Sequence, residues 1–294
     1  LRNLVNIIKT EKPDIVLTYN IKLNAYGGIA CQYTKTVYLP NITGLGTILT
    51  APCCLKKIAM RLYKIGVAGA SCVFFQNNEN RRFFIEHKML RNGCRTVLLP
   101  GSGVNLDKHK TLEYPYDKEK INFLFVARII KEKGIDIYLN AAKQIHKNYD
   151  NTQFHICGHC DDEKYLEIFK ASREYICYHG EQKDMIPFFQ MAHCIVHPSY
   201  YSEGMSNILL EAASHARPII TTDIRGCRET VIEGKNGYLV KVKDEKDLEE
   251  KIIKILQNSK EQILKMSEES YKIAKERFDV NIINKKMLEI MELD

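Results

Sequence analysis

One stretch of the sequence decides the fold, Ile195-Val196-His197-Pro198-Ser199-Tyr200-Tyr201-Ser202-Glu203-Gly204-Met205-Ser206-Asn207-Ile208-Leu209-Leu210-Glu211. The pattern predicts an apolar strand that ends at Pro198, a tight turn at Glu203 and Gly204, and a helix that continues to about Ala216. On both sides of this stretch, strand-like and helix-like segments alternate along the chain. That alternation predicts parallel sheets with helices on both faces.

The two carboxylates of this stretch, Glu203 and Glu211, lie at the turn and about two helical turns further on, separated by roughly 12 Å of helical rise. The N-terminus of the helix lies between them, and its backbone N–H groups suit a diphosphate. Carboxylates accept hydrogen bonds from hydroxyls, so the pattern favours a sugar–diphosphate–ribose ligand. Glutamate is usually a solvated surface residue, and spacing alone leaves that alternative open. The apolar residues around Glu211 count against it, because a carboxylate on a buried helix needs a polar partner.

The spacing of Glu203 and Glu211 resembles the E-x7-E signature of the retaining family 4 glycosyltransferases. The run from Glu203 to Ala213, with the runs 217–223 and 226–231, is similar to bacterial members that build surface polysaccharides. The resemblance covers nearly the whole chain. It implies an α/β fold of the GT-B type, in which two Rossmann-like doubly wound domains face a cleft. The opening strand and glycine loop of that fold have no counterpart here, so we expect an incomplete first domain.

Length and composition agree with two soluble globular domains: 294 residues, 45% hydrophobic and 27% charged. We expect a partial acceptor-side domain over 1–104, a nucleotide-sugar-binding domain over 105–279, and a C-terminal helix over 280–294 that crosses back to the first domain. The net charge of +7 fits anionic partners such as nucleotide diphosphates, lipid phosphates or an acidic membrane surface. No recognised nucleic-acid motif accompanies that charge, so we expect no nucleic-acid partner.

In the first domain, residues 13–19 predict a buried strand, Asn20–Gly28 a turn-like segment, and Pro40–Gly46 a glycine loop. The segment 55–65 predicts an amphipathic helix with apolar residues at 55, 58, 59, 62 and 65 and four cations elsewhere. Its apolar side either packs on the core or lies on anionic lipid, and both alternatives fit the same pattern.

The chemistry requires cations at the leaving diphosphate, and the sequence has no Asp-x-Asp metal motif. Arg128 and Lys133, at the end of a strand and the start of a helix, resemble the diphosphate-binding pair of the family. A solvated basic turn is the alternative, and it is weaker for Arg128, which follows an apolar run. The resemblance implies that Arg128, Lys133 and Glu203 are catalytic, with no metal and no cofactor besides the nucleotide-sugar co-substrate.

The resemblance also assigns the remaining site residues. Glu211 receives the ribose hydroxyls, and the helix N-terminus holds the donor sugar and its distal phosphate through Gly204, Met205, Ser206 and Asn207. Uracil is expected near Gly158 and Tyr178. On the acceptor side, the cleft residues are expected to be Asn24, Thr43, Gly44 and Gly103.

Cysteine and histidine offer weaker signals. Cys157 and Cys160 have C-x-x-C spacing, but no second ligand pair follows, so a core thiol is favoured over a metal site. Most of the ten cysteines lie in apolar runs, which is typical of reduced thiols in the cytosol. His197 is expected to be a core histidine rather than a base.

The resemblance therefore implies a retaining, metal-independent glycosyltransferase of glycan or surface-polysaccharide biosynthesis. It would move a hexose or N-acetylhexosamine from a UDP-sugar to an acceptor linked to a lipid diphosphate such as undecaprenyl diphosphate. We expect it in the cytoplasm, peripheral on the cytoplasmic face of the membrane. The alternative is a non-catalytic nucleotide-sugar-binding fragment, and a phosphorylase or nucleotide-sugar epimerase of related fold is less favoured.

Overall fold

The structure is a computed structural model that describes residues 1–44, 53–116, 119–201 and 204–292. Its helices are α1 (Arg2–Glu11), α2 (Asn20–Thr34), α3 (Cys53–Val67), α4 (Asn78–Glu86), α5 (Ile135–Asn148), α6 (Glu163–Ala171), α7 (Ile186–Met191), α8 (Asn207–Ser214), α9 (Glu245–Gln257), α10 (Lys260–Ile273) and α11 (Val280–Met291). Its strands are β1 (Ile15–Tyr19), β2 (Val37–Ile42), β3 (Cys72–Phe75), β4 (Arg95–Leu98), β5 (Ile121–Val126), β6 (Thr152–Cys157), β7 (Ile176–Tyr178), β8 (Cys194–His197), β9 (Ile219–Thr222) and β10 (Gly237–Val240).

The chain divides into two compact units. The first unit contains the chain up to Gly103, the short segment from Gly204 to Ser206, and α11. The second unit contains Val104–Tyr201 and Asn207–Asp279. Each unit has a parallel sheet of its own, so each can be described by itself.

The first unit has a four-stranded sheet in the sequential order β1-β2-β3-β4. Helices α2 and α3 pack closely where Gly28 faces Gly66. A Cβ on Gly28 would overlap the Gly66 carbonyl, so this approach requires glycine. The C-terminal helix α11 belongs to this unit and buries Ile283 and Met287 in a cluster with Leu39 and Phe74. The sheet is therefore covered by helices from both ends of the sequence.

Three predictions for this unit are wrong. The strand predicted to be buried is β1, which lies at the edge of the sheet with only Thr18 buried and with Leu17 and Tyr19 exposed. Residues 20–28 form the first part of helix α2 rather than a turn. Asn20 alone makes the turn from β1, with φ 61° and with its side-chain oxygen accepting a hydrogen bond from the Leu23 N–H at 3.1 Å. Strand β2 also continues through Pro40 to Ile42, so the predicted loop begins later, and its last residues, 45 and 46, lie outside the described residues.

The structure separates the two alternatives for the amphipathic helix α3. Leu55, Ile58 and Ile65 are exposed at 60%, 57% and 52% of their surface, so this apolar stripe does not pack on the core. The buried side of α3 contains Tyr63 and Val67 instead. Of the five predicted apolar positions, Ala59 packs against the core as the core-facing alternative predicts, whereas residues 55, 58 and 65 contradict that alternative.

The second unit has a six-stranded sheet in the order β7-β6-β5-β8-β9-β10, and all its strand pairs are parallel. In order of sequence within the unit this is the 3-2-1-4-5-6 arrangement of a Rossmann sheet. The direction of winding reverses between β5 and β8. In such sheets, ligands bind outside the carboxyl ends of the strands at that reversal.

The strands and helices of the second unit alternate as the sequence predicts. Arg228–Thr230 forms a single 3-10 turn, and α10 continues beyond Ile273 as a π-turn over Ala274–Phe278. Asp244 is the N-cap of α9, and its side chain accepts from the Asp247 N–H.

Arg217 holds the segment before β5 against this unit. Its side chain is fully buried and donates to the carbonyl oxygens of Phe189 and Glu113, each at 2.7 Å, and more weakly to those of Leu112 and Ala216. Burial lowers its pKa to about 10, so the guanidinium stays charged at neutral pH. The Phe189 carbonyl also accepts from the Ala192 N–H, and the Ala216 carbonyl also accepts from the Ser267 hydroxyl, so Arg217 adds a second donor to each of these two.

No helix in the described part of the chain combines the length and the apolarity needed to cross a bilayer.

Candidate functional site

The turn after β5 brings the predicted cations to the point where the sheet reverses. Arg128 is exposed, and Lys131–Lys133 forms a 3-10 turn that ends at Gly134 with φ 82°. A Cβ on Gly134 would overlap the carbonyl of Pro198, which follows β8. The turn lies directly against the residue that follows β8, and only glycine fits at this position. The Tyr200 N–H donates to the Glu132 carbonyl at 2.9 Å and adds a second link.

Lys133 is half-buried in this turn, and its Nζ lies 5.1 Å from the centre of the Tyr201 ring. The pKa of Lys133 is lowered to about 8, mainly by burial and also by the nearby charge of Arg128, while Cys227 acts in the opposite direction. A lowered pKa means that the protonated form lacks full solvation. A diphosphate bound here would supply the missing negative charge.

Glu211 lies on α8, whose other inner residues, among them Leu209 and Ala212, pack in the core. The Glu211 side chain is half-buried, and burial raises its pKa while Lys108 acts against that rise. The carboxylate faces a cavity of about 320 Å³. The cavity is lined by Lys108, His109, Lys183, Asp184, Met185, Ile186, Phe189, Glu211 and His215. A cavity of this size lies at the lower end of the range for small-molecule sites, ~300–1,000 Å³.

Gly158 and Tyr178 come together at the ends of β6 and β7. Gly158 has φ 146°, and its carbonyl accepts a hydrogen bond from the Tyr178 hydroxyl at 3.0 Å. The Gly158 N–H donates to the Gly180 carbonyl at 2.8 Å. This N–H therefore already has an acceptor, in a hydrogen bond that joins the loops after β6 and β7. The expectation that uracil lies near these residues stays a prediction. Later residues of the loop that follows β7, among them Lys183 and Asp184, line the cavity beside Glu211.

In the first unit, the structure brings Gly204 next to Thr43. A Cβ on Gly204 would overlap the Thr43 carbonyl and the Gln76 side chain, so glycine is required. The Asn77 side chain donates to the Gly204 carbonyl at 2.8 Å. Met205 and Ser206 are buried, and Gly44 follows Thr43 with φ 139°. Asn207, in the second unit, is exposed at the start of α8. Glu203, a central prediction, lies outside the described residues.

Two predicted acceptor-side residues, Asn24 and Gly103, make close contacts within the first unit. Asn24 is fully buried in α2, where it donates to the Asn41 carbonyl and the Tyr63 hydroxyl, each at 2.9 Å, and accepts from the Thr18 hydroxyl. With no exposed surface and every partner inside the unit, Asn24 is not a contact for an acceptor. Gly103, with φ 78°, packs closely on the backbone of Val280 at the start of α11. Its role in the structure is to admit that close approach.

His197 and Cys157 are both buried in the core. His197 is buried, and burial together with Lys133 lowers its pKa to about 3, so it is neutral. Burial raises the pKa of the Cys157 thiol to about 12, as expected for a core thiol. Within the described ranges, no group of three or more His, Cys, Asp or Glu side chains is arranged to hold a metal ion.

Sequence reasoning missed most of the residues that line the cavity, because Lys108, Lys183 and Asp184 lie in irregular segments without a recognisable motif. His215 is different. It follows Glu211 by four positions, and residues four apart share one face of a helix. That spacing was the signal for it.

Known glycosyltransferases resemble this chain in sequence. The profile of the family described as "Glycosyl transferases group 1" matches residues 110–275, which is more than half of the chain. The N,N'-diacetylbacillosaminyl-diphospho-undecaprenol alpha-1,3-N-acetylgalactosaminyltransferase of Campylobacter jejuni is 24% identical over 98% of this chain and 79% of its own length. The capsular polysaccharide biosynthesis glycosyltransferase CapM of Staphylococcus aureus is 26% identical over 87% of this chain and 70% of its own length.

Among solved structures, Anabaena HepE in complex with UDP and glucose superposes with a TM-score of 0.82 at 18% identity, covering 99% of this chain and 81% of HepE. The sucrose-phosphate synthase of Thermosynechococcus elongatus superposes with a TM-score of 0.81 at 19% identity, covering 100% of this chain and 77% of its own. The expected GT-B fold and the expected kinship with family 4 enzymes are thereby confirmed. The chain belongs to the glycosyl transferases group 1 family and is a glycosyltransferase of GT-B fold.

Proposed function

We propose that this glycosyltransferase moves a hexose or N-acetylhexosamine from a UDP-sugar to a sugar acceptor linked to a lipid diphosphate, with retention of the anomeric configuration and without a metal ion. The single observation that carries the proposal is the half-buried carboxylate of Glu211 on the wall of a cavity of about 320 Å³. A carboxylate whose pKa is raised by burial gains from hydroxyl donors, and the ribose of a nucleotide offers two of them.

The cations of the β5 turn serve the leaving group. In the transfer, the bond between the sugar C1 and the donor phosphate oxygen breaks, and a bond from C1 to the acceptor oxygen forms on the same face. The acceptor proton goes to a phosphate oxygen, and UDP leaves with both electrons of the broken bond. Arg128 and Lys133 stabilise the charge that develops on the diphosphate, which is the task a metal ion performs in other enzymes. Glu203 and the backbone of Gly204 hold the donor sugar.

The relatives support the donor and the acceptor class. The Campylobacter jejuni relative is named for an acceptor on diphospho-undecaprenol, and solved structures of this fold include HepE and the pneumococcal GtfA, each in complex with UDP. The buried free thiols, among them Cys157 and Cys194, suit a reducing compartment such as the cytoplasm. A lipid-linked acceptor would then be met at the cytoplasmic face of the membrane.

Helix α3 supplies a surface for that membrane. Its exposed apolar stripe, Leu55, Ile58 and Ile65, is accompanied by exposed cations on the same helix. These cations are Lys57, Arg61 and Lys64. A helix with exposed apolar residues and a cationic polar side lies in the interface of anionic bilayers. Each cation near such a surface contributes about 1 kcal/mol to binding.

The test of the donor and the metal-free chemistry is calorimetry with UDP, followed by turnover of UDP-sugars with a polyprenyl-diphosphate sugar as acceptor. UDP binding and transfer should persist in EDTA, because the counter-charges belong to the protein. Binding that is lost in EDTA and restored by magnesium or manganese would contradict the metal-free mechanism. Binding of UDP without transfer to any lipid-linked acceptor would favour the alternative, a non-catalytic nucleotide-sugar-binding fragment.

The membrane surface is tested by sedimentation with anionic and neutral liposomes. The variant Lys57→Glu/Arg61→Glu/Lys64→Glu should lose binding to anionic liposomes. A matched control reverses three exposed lysines of the second unit, Lys246, Lys265 and Lys275, and should retain it although its net charge changes equally. Binding should fall as salt rises. Equal binding of both triple variants would exclude α3 as the membrane surface.

A further inference from the structure

The cavity beside Glu211 is lined by a buried histidine whose second ring nitrogen has no hydrogen-bond partner among the described residues. His215 is 1% exposed, and its Nδ1 lies 2.7 Å from the Lys110 carbonyl oxygen. A carbonyl only accepts, so Nδ1 carries the proton and Nε2 carries a lone pair. Within the described part of the chain, Nε2 has no hydrogen-bond partner.

The ring is held in place by its neighbours. It packs against Phe189 at 4.7 Å between ring centres and against His109 at 5.4 Å, and all three residues line the cavity. Its freedom to turn Nε2 towards bulk water is small, because the Nδ1 bond fixes the ring at one edge. Buried acceptors are nearly always satisfied, by protein, water or a ligand.

We propose that His215 positions the nucleoside of the donor by accepting, at Nε2, a hydrogen bond from an N–H or O–H group of that nucleoside. The proposal rests on the proposed use of a UDP-sugar. Glu211 lies on α8, and His215 directly follows the last residue of that helix. The His215 N–H donates to the Glu211 carbonyl at 3.0 Å and so continues the helical pattern, which places the two residues about 6 Å apart along the axis. One nucleoside can therefore donate hydrogen bonds to both side chains. A ribose hydroxyl donates to the Glu211 carboxylate, and a neighbouring group donates to Nε2. That second group is either another ribose hydroxyl or the imide N–H of uracil.

The charges around the ring keep it neutral. Burial, His109 and Arg217 lower the pKa of His215, while the bond to the Lys110 carbonyl raises it, and the net direction is downward. The other charged groups of the cavity are Lys108, Lys183, Asp184 and Glu211. Nε2 is thus an acceptor at neutral pH. Acidification through the pKa of His215 protonates Nε2 and removes the acceptor.

The experiment compares UDP binding by calorimetry in the whole chain and two variants. In His215→Asn, the amide nitrogen can replace Nδ1 at the Lys110 carbonyl, but nothing replaces Nε2. In His215→Gln, the longer amide oxygen can replace Nε2. We expect His215→Asn to bind UDP about three- to tenfold more weakly, the effect of one neutral hydrogen bond, and His215→Gln to recover part of that loss.

Two further arms identify the donor and the protonation state. The analogue 2'-deoxy-UDP lacks one ribose hydroxyl, and N3-methyl-UDP lacks the imide N–H. The wild-type protein and His215→Asn should bind equally to the analogue that lacks the group donating to Nε2. The wild-type protein should also lose more UDP affinity on acidification below about pH 6.5 than His215→Asn does, because only the wild type has an Nε2 to protonate.

The outcomes separate the two proposals. If the wild-type protein binds no UDP at any pH, the proposed UDP-sugar substrate is wrong. If the wild-type protein and folded His215→Asn bind UDP equally and with the same pH profile, the proposed role of His215 is wrong. The proposed UDP-sugar substrate is then unaffected. Thermal unfolding of each variant reports whether it is folded. Should His215→Asn not fold, the pH profile of His215→Gln against wild type decides, and identical profiles would overturn the proposal.

Discussion

The affinity for UDP should depend on pH through Lys133, because its pKa is lowered to about 8 and only the protonated amine attracts a diphosphate. Between about pH 7 and about pH 9 the protonated fraction falls about tenfold. The terminal phosphate of UDP is already ionised over this range, since its pKa is about 6. UDP affinity should therefore be complete below the pKa and fall up to about tenfold as pH rises through it.

Calorimetric titration with UDP at several pH values measures this profile, and two variants make it specific. Lys133→Arg should bind UDP with little pH dependence, because a guanidinium stays charged over the whole range. Lys131→Met removes an exposed cation of the same turn and should keep the wild-type profile. A flat profile for the wild type, or the same fall in Lys133→Arg, would show that Lys133 is not the titrating cation.

Other variants test the two glutamates and the buried arginine. Glu211→Ala should weaken UDP binding by about 1.5–3 kcal/mol, the value of a hydrogen bond to a charged group, and Glu211→Gln should recover part of it in calorimetry. Glu203→Ala should leave UDP affinity nearly unchanged and weaken binding of the UDP-sugar, and a loss for UDP as large as in Glu211→Ala would reverse the proposed direction of the ligand. Arg217→Met should lower the free energy of unfolding in urea by about 2–4 kcal/mol, because the hydrogen bonds that the buried guanidinium donates to backbone carbonyls are lost. The exposed Arg228→Met should cost about 0–1 kcal/mol, and equal midpoints for the two would contradict this account.

The second unit could be predicted almost element by element because its strands are short apolar runs separated by clear helix signals. Its Rossmann order also follows from the regular alternation of strand and helix, which leaves few ways to wind a parallel sheet. The cations of the β5 turn could be recognised because Arg128 follows a buried strand directly. In these places local pattern and tertiary position agree.

The first unit was harder to predict because tertiary contacts override local signals there. Asn20 to Gly28 has the composition of a turn, yet the glycines permit close helix packing rather than a bend. The stripe of α3 has the period of a core-facing helix, but period alone does not say which side meets the core. His215 was missed although it follows Glu211 by four positions, because that spacing marks a site residue only once the cavity beside Glu211 is known.

The placement of Gly204 has a consequence for protein engineering. The segment 204–206 belongs to the first unit, although the chain on both sides of it belongs to the second. A chimera that takes residues 104–279 from a relative would therefore carry a foreign peptide into the first unit. That peptide would have to fit the host's Thr43 carbonyl and accept from the host's Asn77. Recombination that exchanges donor specificity should succeed when the crossover leaves this tripeptide with the recipient, and fail when it travels with the graft.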